Sequence, residues 1–170
     1  HVTVFRWSDK SGEVVLSSEN LGFDAVFFIA NGLADPRDQI ESFNAWINKN
    51  DFELLQVITV VNCALVKVMP VLSKWYDVCI HFSDSVLLNR REGVDPGWTR
   101  DFLKPYEKAC YPCYFEQVKK GRLRNPGALL EAVPKRISLV FENQDVFDDL
   151  DIDEDDLPDE PFDLSGTEDP

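Results

Sequence analysis

Apolar and polar positions along the chain alternate between two periods. Val2 to Trp7 and Val14 to Leu16 read as short strands separated by a turn at Gly12, and Val26 to Ile29 is a continuous apolar run. Ile40, Phe43 and Ile47 then recur at helical spacing, which predicts a helix over 36–48. Leu54 to Cys63 is rich in β-branched residues and predicts a central parallel strand. Leu65 to His81 reads as helical, with Pro70 favouring a start near residue 69. Ser85 to Leu88 predicts a buried strand ending at Asn89, and Trp98 to Ala109 a helix that Pro105 interrupts. Tyr114 to Val118 reads as an edge strand, Pro126 to Val133 as a short helix, and Ile137 to Phe141 as a last strand. Strand and helix alternate, so the fold class is α/β, a mostly parallel sheet with crossover helices.

Charge divides the chain more sharply than hydropathy does. The net charge is −14, yet Glu142 to Pro170 hold 14 acids and no Lys or Arg, leaving 17 acids and 17 bases in residues 1–141. Prolines, acids and isolated apolar residues cannot bury enough surface to offset ordering entropy, which predicts one domain over 1–141 and a disordered acidic tail over 142–170. The tail spaces Phe147, Leu150, Ile152, Leu157, Phe162 and Leu164 among its acids, a pattern suited to a motif that folds on a protein partner. Residues 97–141 are basic, with 9 bases against 4 acids. Lys119, Lys120, Arg122 and Arg124 form an anion-surface candidate that the tail could cover. Overall acidity argues against a nucleic-acid partner. No apolar run reaches the roughly 18 residues of a membrane span, and no signal-peptide pattern is present. Four cysteines are too few for a disulfide scaffold, and Cys63 and Cys79 lie in apolar surroundings, which fits a reducing, cytoplasmic compartment better.

The strongest local signal is Asp24-Ala-Val-Phe-Phe-Ile-Ala-Asn-Gly-Leu-Ala-Asp-Pro36, in which a strand meets a glycine turn and the turn meets a capped helix. Gly32 permits the turn or a close approach by a ligand, Asp35 is a good N-cap, and Pro36 suits the first helical position. Open α/β sheets bind ligands at such strand ends.

Three segments in this order resemble the CobW group of P-loop GTPases and metal chaperones. They are Gly32-Leu-Ala-Asp-Pro36, Val57-Ile-Thr-Val-Val-Asn62 and Ser83-Asp-Ser-Val-Leu-Leu-Asn-Arg-Arg-Glu92, joined by Asn125-Pro126 with Ala128. The resemblance covers residues 24–130 and implies a GTPase-like sheet, with Asn89, Arg90 and Glu92 in the guanine-reading loop and Gly32 and Asp35 near the switch region. It implies GTP and Mg²⁺ as ligands of an intact member. The departures from the family point the other way. No glycine is followed by lysine, so the phosphate-binding G-x-x-x-x-G-K-[ST] loop is absent. Ile29 stands at the acidic position near magnesium, Asn62 replaces the strand-ending aspartate, and Arg90 and Glu92 replace the lysine and aspartate that read guanine. The family's Cys-x-Cys-Cys metal motif is missing too.

The expectation is therefore a degenerate, non-hydrolysing GTPase-like domain serving as an interaction or regulatory module without a resident cofactor. A GTP-hydrolysing metal chaperone truncated ahead of His1 is the alternative; truncation explains the missing lysine but not Ile29, Asn62 or Glu92. Loss of a central P-loop strand would expose sheet edges and favour pairing with a second chain. A weaker alternative is a thiol-redox protein using Cys110 and Cys113, a C-x-x-C that here closes a helix and opens a strand. A zinc site would need Cys63, Cys79, His81 or His1 as further ligands, and none repeats the spacing.

Overall fold

The computed structural model describes residues 4–6, 27–50, 53–131 and 133–141. The predicted strand at Val14 to Leu16 and the tail 142–170 lie outside them. Two short strands, β1 (Val4–Arg6) and β2 (Phe27–Ile29), pair in parallel, with Phe5 opposite Phe28. Helix α1 (Pro36–Asn50) follows. The principal sheet is built from β3 (Ile58–Asn62), β4 (Ser85–Asn89) and β5 (Tyr114–Gln117), all parallel and in the order β3-β4-β5. Helices α2 (Cys63–Val68) and α3 (Leu72–His81) connect β3 to β4, and α4 (Pro96–Lys108) connects β4 to β5. The α/β class and the parallel sheet agree with the sequence pattern. No helix among the described residues is long and apolar enough to cross a membrane.

The core forms where alternate residues of β3 and β4 meet the helices. Val61, Val86 and Leu88 lie at or below 1% exposure and pack with Val66 of α2, Ile80 and Tyr76 of α3, and Tyr106 of α4. Ser83 at the end of this layer donates its hydroxyl to the Cys79 carbonyl at 2.8 Å, so its burial leaves no unmet donor.

Five expectations change. Helix α4 runs through Pro105 to Lys108 without the predicted interruption. Among the described residues β3 is an edge strand bonded to β4 alone, and Val60 on its second face is 51% exposed, so the apolar run 54–63 is not a central strand. The apolar run ending at Ile29 predicts a strand covered on both faces, whereas among the described residues β2 is covered on one face only. Phe28 packs between Phe43 and Trp46 of α1 at 4.9 Å from each ring, while Phe27 and Ile29 are nearly half exposed. The segment 65–81 is two helices, because Asn62 caps α2 by accepting the Leu65 N–H at 3.1 Å and Pro70 forces the break before α3. Residues 137–141 form no strand. Their backbone is spent on other partners: Ser138 N–H donates to the His81 carbonyl, and the Val140 carbonyl accepts from the Asn44 side chain at 2.8 Å.

A buried ion pair ties the amino ends of the sheet to this last segment. Asp84 is fully buried, and Arg136 reaches both its oxygens through one guanidinium nitrogen at 3.0 and 2.9 Å. The Val57 and Lys135 backbone N–H groups each donate to the same carboxylate at 2.7 Å.

Candidate functional site

At the opposite, carboxyl end of the sheet two loops meet. Strand β4 ends at Asn89, whose side-chain oxygen accepts the Arg90 N–H at 2.8 Å. Arg90 takes a left-handed conformation at φ 52°, which turns the chain sharply and sends its carbonyl to the Ala64 N–H at 3.1 Å. Gly93, at φ 78°, supplies the next turn without the steric cost a side chain would bring. Asp95 then caps α4 by accepting the Trp98 N–H at 2.8 Å, with Pro96 at the first helical position. Lys67 of α2 pins the loop by donating to the Gly93 carbonyl at 3.2 Å and to Asp95 at 3.3 Å.

The second loop follows β5. Val118 N–H donates to the Leu88 carbonyl, and Lys119 and Arg122 exchange both backbone hydrogen bonds at 2.9 Å. The two residues between them, Lys120 and Gly121, have φ of 49° and 72°, the double left-handed geometry of the tightest hairpin turns. Gly121 adopts it freely, whereas Lys120 carries a strain of about 1–2 kcal/mol. The chain leaving the hairpin is anchored by Glu116, a buried residue whose Oε1 accepts the Arg124 and Asn125 N–H groups at 2.6 and 3.0 Å.

Between these loops lies a solvent-open concavity of about 650 Å³ lined by Arg91, Glu92, Val118, Lys119, Lys120 and Arg122. Four cations face one carboxylate. Arg91 also bridges the loops by donating to the Gln117 side-chain oxygen at 2.6 Å. An open, strongly positive concavity at the carboxyl ends of parallel strands attracts anions and holds them by charge more than by shape.

The sequence-derived candidates divide between places. Asn89, Arg90 and Glu92 occupy the β4 loop, and Glu92 lines the concavity beside the lysines. Gly32 and Asp35 lie in the turn between β2 and α1. Asp35 accepts the Arg37 N–H at 2.9 Å and pairs with the Arg37 guanidinium at 3.1 Å, which holds its carboxyl below the usual range. No hydrogen bond or ion pair among the described residues joins this turn to Asn89–Glu92. A Cβ added at Gly32 would meet nothing within 4 Å, so no packing demand accounts for glycine there.

Cys110 and Cys113 follow α4, at its carboxyl end and not at a helix N-terminus. Both are free thiols; Cys110 is exposed and Cys113 is buried. Burial pushes the Cys113 thiol up to about 11, and also raises Cys79 to about 12. These shifts give a pH prediction. Below pH 8.5 both thiols are neutral whether folded or unfolded, so stability is insensitive to them. From about pH 8.5 to 11 the unfolded chain ionises them while the native state keeps them protonated, so stability falls as pH rises. At pH 8 a chromogenic disulfide reagent should therefore modify Cys110 rapidly and Cys63, Cys79 and Cys113 only on unfolding. Equally rapid labelling of Cys113 in the native state would contradict the burial.

Sequence reasoning identified the basic cluster and the Asn89–Glu92 loop separately; it gave no role to Arg91 within that loop or to Asp84, Glu116 and Arg136. The only signal for the hairpin is Gly121 after two lysines. Comparison with known proteins adds no relative, since no protein-family model, curated protein or solved structure matches the chain.

Proposed function

We propose that this domain is a degenerate, non-hydrolysing GTPase-like module of the CobW type whose working surface is the cationic concavity, and that it docks acidic polypeptide. The observation that carries the reading is the placement of Arg91, Lys119, Lys120 and Arg122 around one opening at the carboxyl ends of β4 and β5. The residues at the positions the resemblance assigns to magnesium do not fit it. The side-chain oxygen of Asn62 is already used as the cap of α2, and Ile29 offers no ligand atom. No step through a metal or a phosphate is therefore assigned.

A truncated, hydrolysing GTPase is the second reading, favoured by the position of Asn89 and Glu92 in an accessible turn where a base could be read. Against it, Asn89 spends its side-chain oxygen on the Arg90 N–H. The thiol-redox reading gains nothing from a Cys113 that is buried with a raised pKa.

Fluorescently labelled poly-aspartate titrated into the full chain at low salt tests the docking reading. Saturable binding that Lys119→Glu with Lys120→Glu weakens by about tenfold or more is expected, each reversal replacing an attraction by a repulsion. Binding unaffected by the two reversals would overturn it.

A further inference from the structure

We infer that the occupant of the concavity is this chain's own acidic segment, residues 142–170, folded back in the same molecule. The inference rests on the docking reading above and names its partner.

Charge supplies the first argument. The opening carries four cations against the single carboxylate of Glu92, and no salt bridge among the described residues engages Arg91, Lys119, Lys120 or Arg122. Asp84, the buried acid of the sheet, is saturated by Arg136 and two backbone donors at the other end, so it does not compete. The segment 142–170 brings 14 acids and no base, with Asp153-Glu154-Asp155-Asp156 its densest run.

Reach supplies the second. Phe141 is held where the described chain ends, its ring 6.4 Å from Phe43 and 5.4 Å from the Arg136 guanidinium. Arg136 sits at the amino end of β4 and the concavity lies past its carboxyl end, a strand length of about 17 Å away plus the path round the sheet. The 29 residues beyond Phe141 have a relaxed span of about 30 Å and an extended one of about 95 Å. The densest acids begin 12 residues past Phe141, about 40 Å when extended, which suits that path without full stretching.

Magnitude decides what kind of contact results. An exposed ion pair is worth a factor of roughly 1.5–5 in affinity, so a net of three is worth roughly three- to a hundredfold. A free acidic peptide would bind weakly at that strength. Tethering raises the local concentration of the segment to about millimolar, which lifts the occupancy of a weak site above that of a free peptide while leaving it partial. The contact is thus a reversible cover, displaced by a more acidic partner or by salt once the Debye length shrinks from about 30 Å at 0.01 M to 3 Å at 1 M.

The test is zero-length carbodiimide cross-linking of the full chain, with peptide mapping by mass spectrometry. At about 20 mM salt, Lys119 and Lys120 should join carboxylates of residues 142–170 within one molecule at least about fivefold more often than Lys67, Lys74, Lys104 or Lys108 do, and these links should vanish near 0.5 M salt. Even distribution over all the lysines, or products mainly of dimer mass, would overturn the inference. A second arm uses the full chain with D148N, D149N, D151N, D153N, E154Q, D155N and D156N. Relief from competition should tighten its binding of labelled poly-aspartate by about twofold over the native chain. Unchanged affinity would overturn the self-docking inference and leave the docking reading standing. Absence of poly-aspartate binding by both chains would overturn the two together.

Discussion

Replacing Asp84 by alanine should lower the stability of the fold by about 3–5 kcal/mol, the cost of removing one partner of a buried ion pair. The physical ground is the completeness of the cluster. Arg136 is 4% exposed at its side chain, and with Asp84 removed its guanidinium loses the carboxylate it bonds through Nη1. The Val57 and Lys135 N–H groups lose their acceptor in the same step. Marginal stability makes the loss large, because a domain has only about 5–15 kcal/mol in total. A chain of this length should lose roughly 6–20 °C of melting temperature. Urea unfolding followed by far-ultraviolet circular dichroism measures it. Asp35→Ala is the matched control: its pair with Arg37 is exposed, so its removal should lower stability far less than Asp84→Ala does, mostly as a lost cap. A loss under about 1 kcal/mol for Asp84→Ala would show that the amino ends of the sheet are held by something else.

That cluster also shows where sequence reasoning stops. Asp84 and Arg136 are 52 residues apart, and nothing local marks either as half of a buried pair. Without the pair, residues 137–141 read as a strand from their apolar content; with it, the chain is pulled to the amino end of β4 and its backbone bonds to His81 and Asn44 instead. Local signals served better where the physics is local. Asp35-Pro36 marks the start of α1, and Ser85–Asn89 forms the strand its apolar run foretold. Asp95-Pro96 carries the same start signal for α4, two residues ahead of the predicted Trp98. Asn62 is the instructive case: compared with a metal-binding aspartate it reads as a loss, whereas in the fold it is an N-cap with its own purpose. The basic cluster was legible as composition, but its joining with Arg91 and Glu92 depends on the parallel register of β4 with β5 and on the Lys120-Gly121 turn.

The proposal that the carboxyl-end concavity is a surface for acidic polypeptide and that the domain binds no nucleotide has one direct measurement: equilibrium titration of a fluorescent guanine nucleotide into the full chain with Mg²⁺ in excess. The account predicts no saturable binding below about 1 mM, at least a thousandfold, or about 4 kcal/mol, weaker than a micromolar site. It predicts further that Asn89→Ala changes nothing, because the Asn89 oxygen already serves the Arg90 N–H. A saturable, Mg²⁺-dependent, micromolar dissociation constant that Asn89→Ala weakens tenfold or more would contradict it and return Asn89 and Glu92 to reading a guanine base.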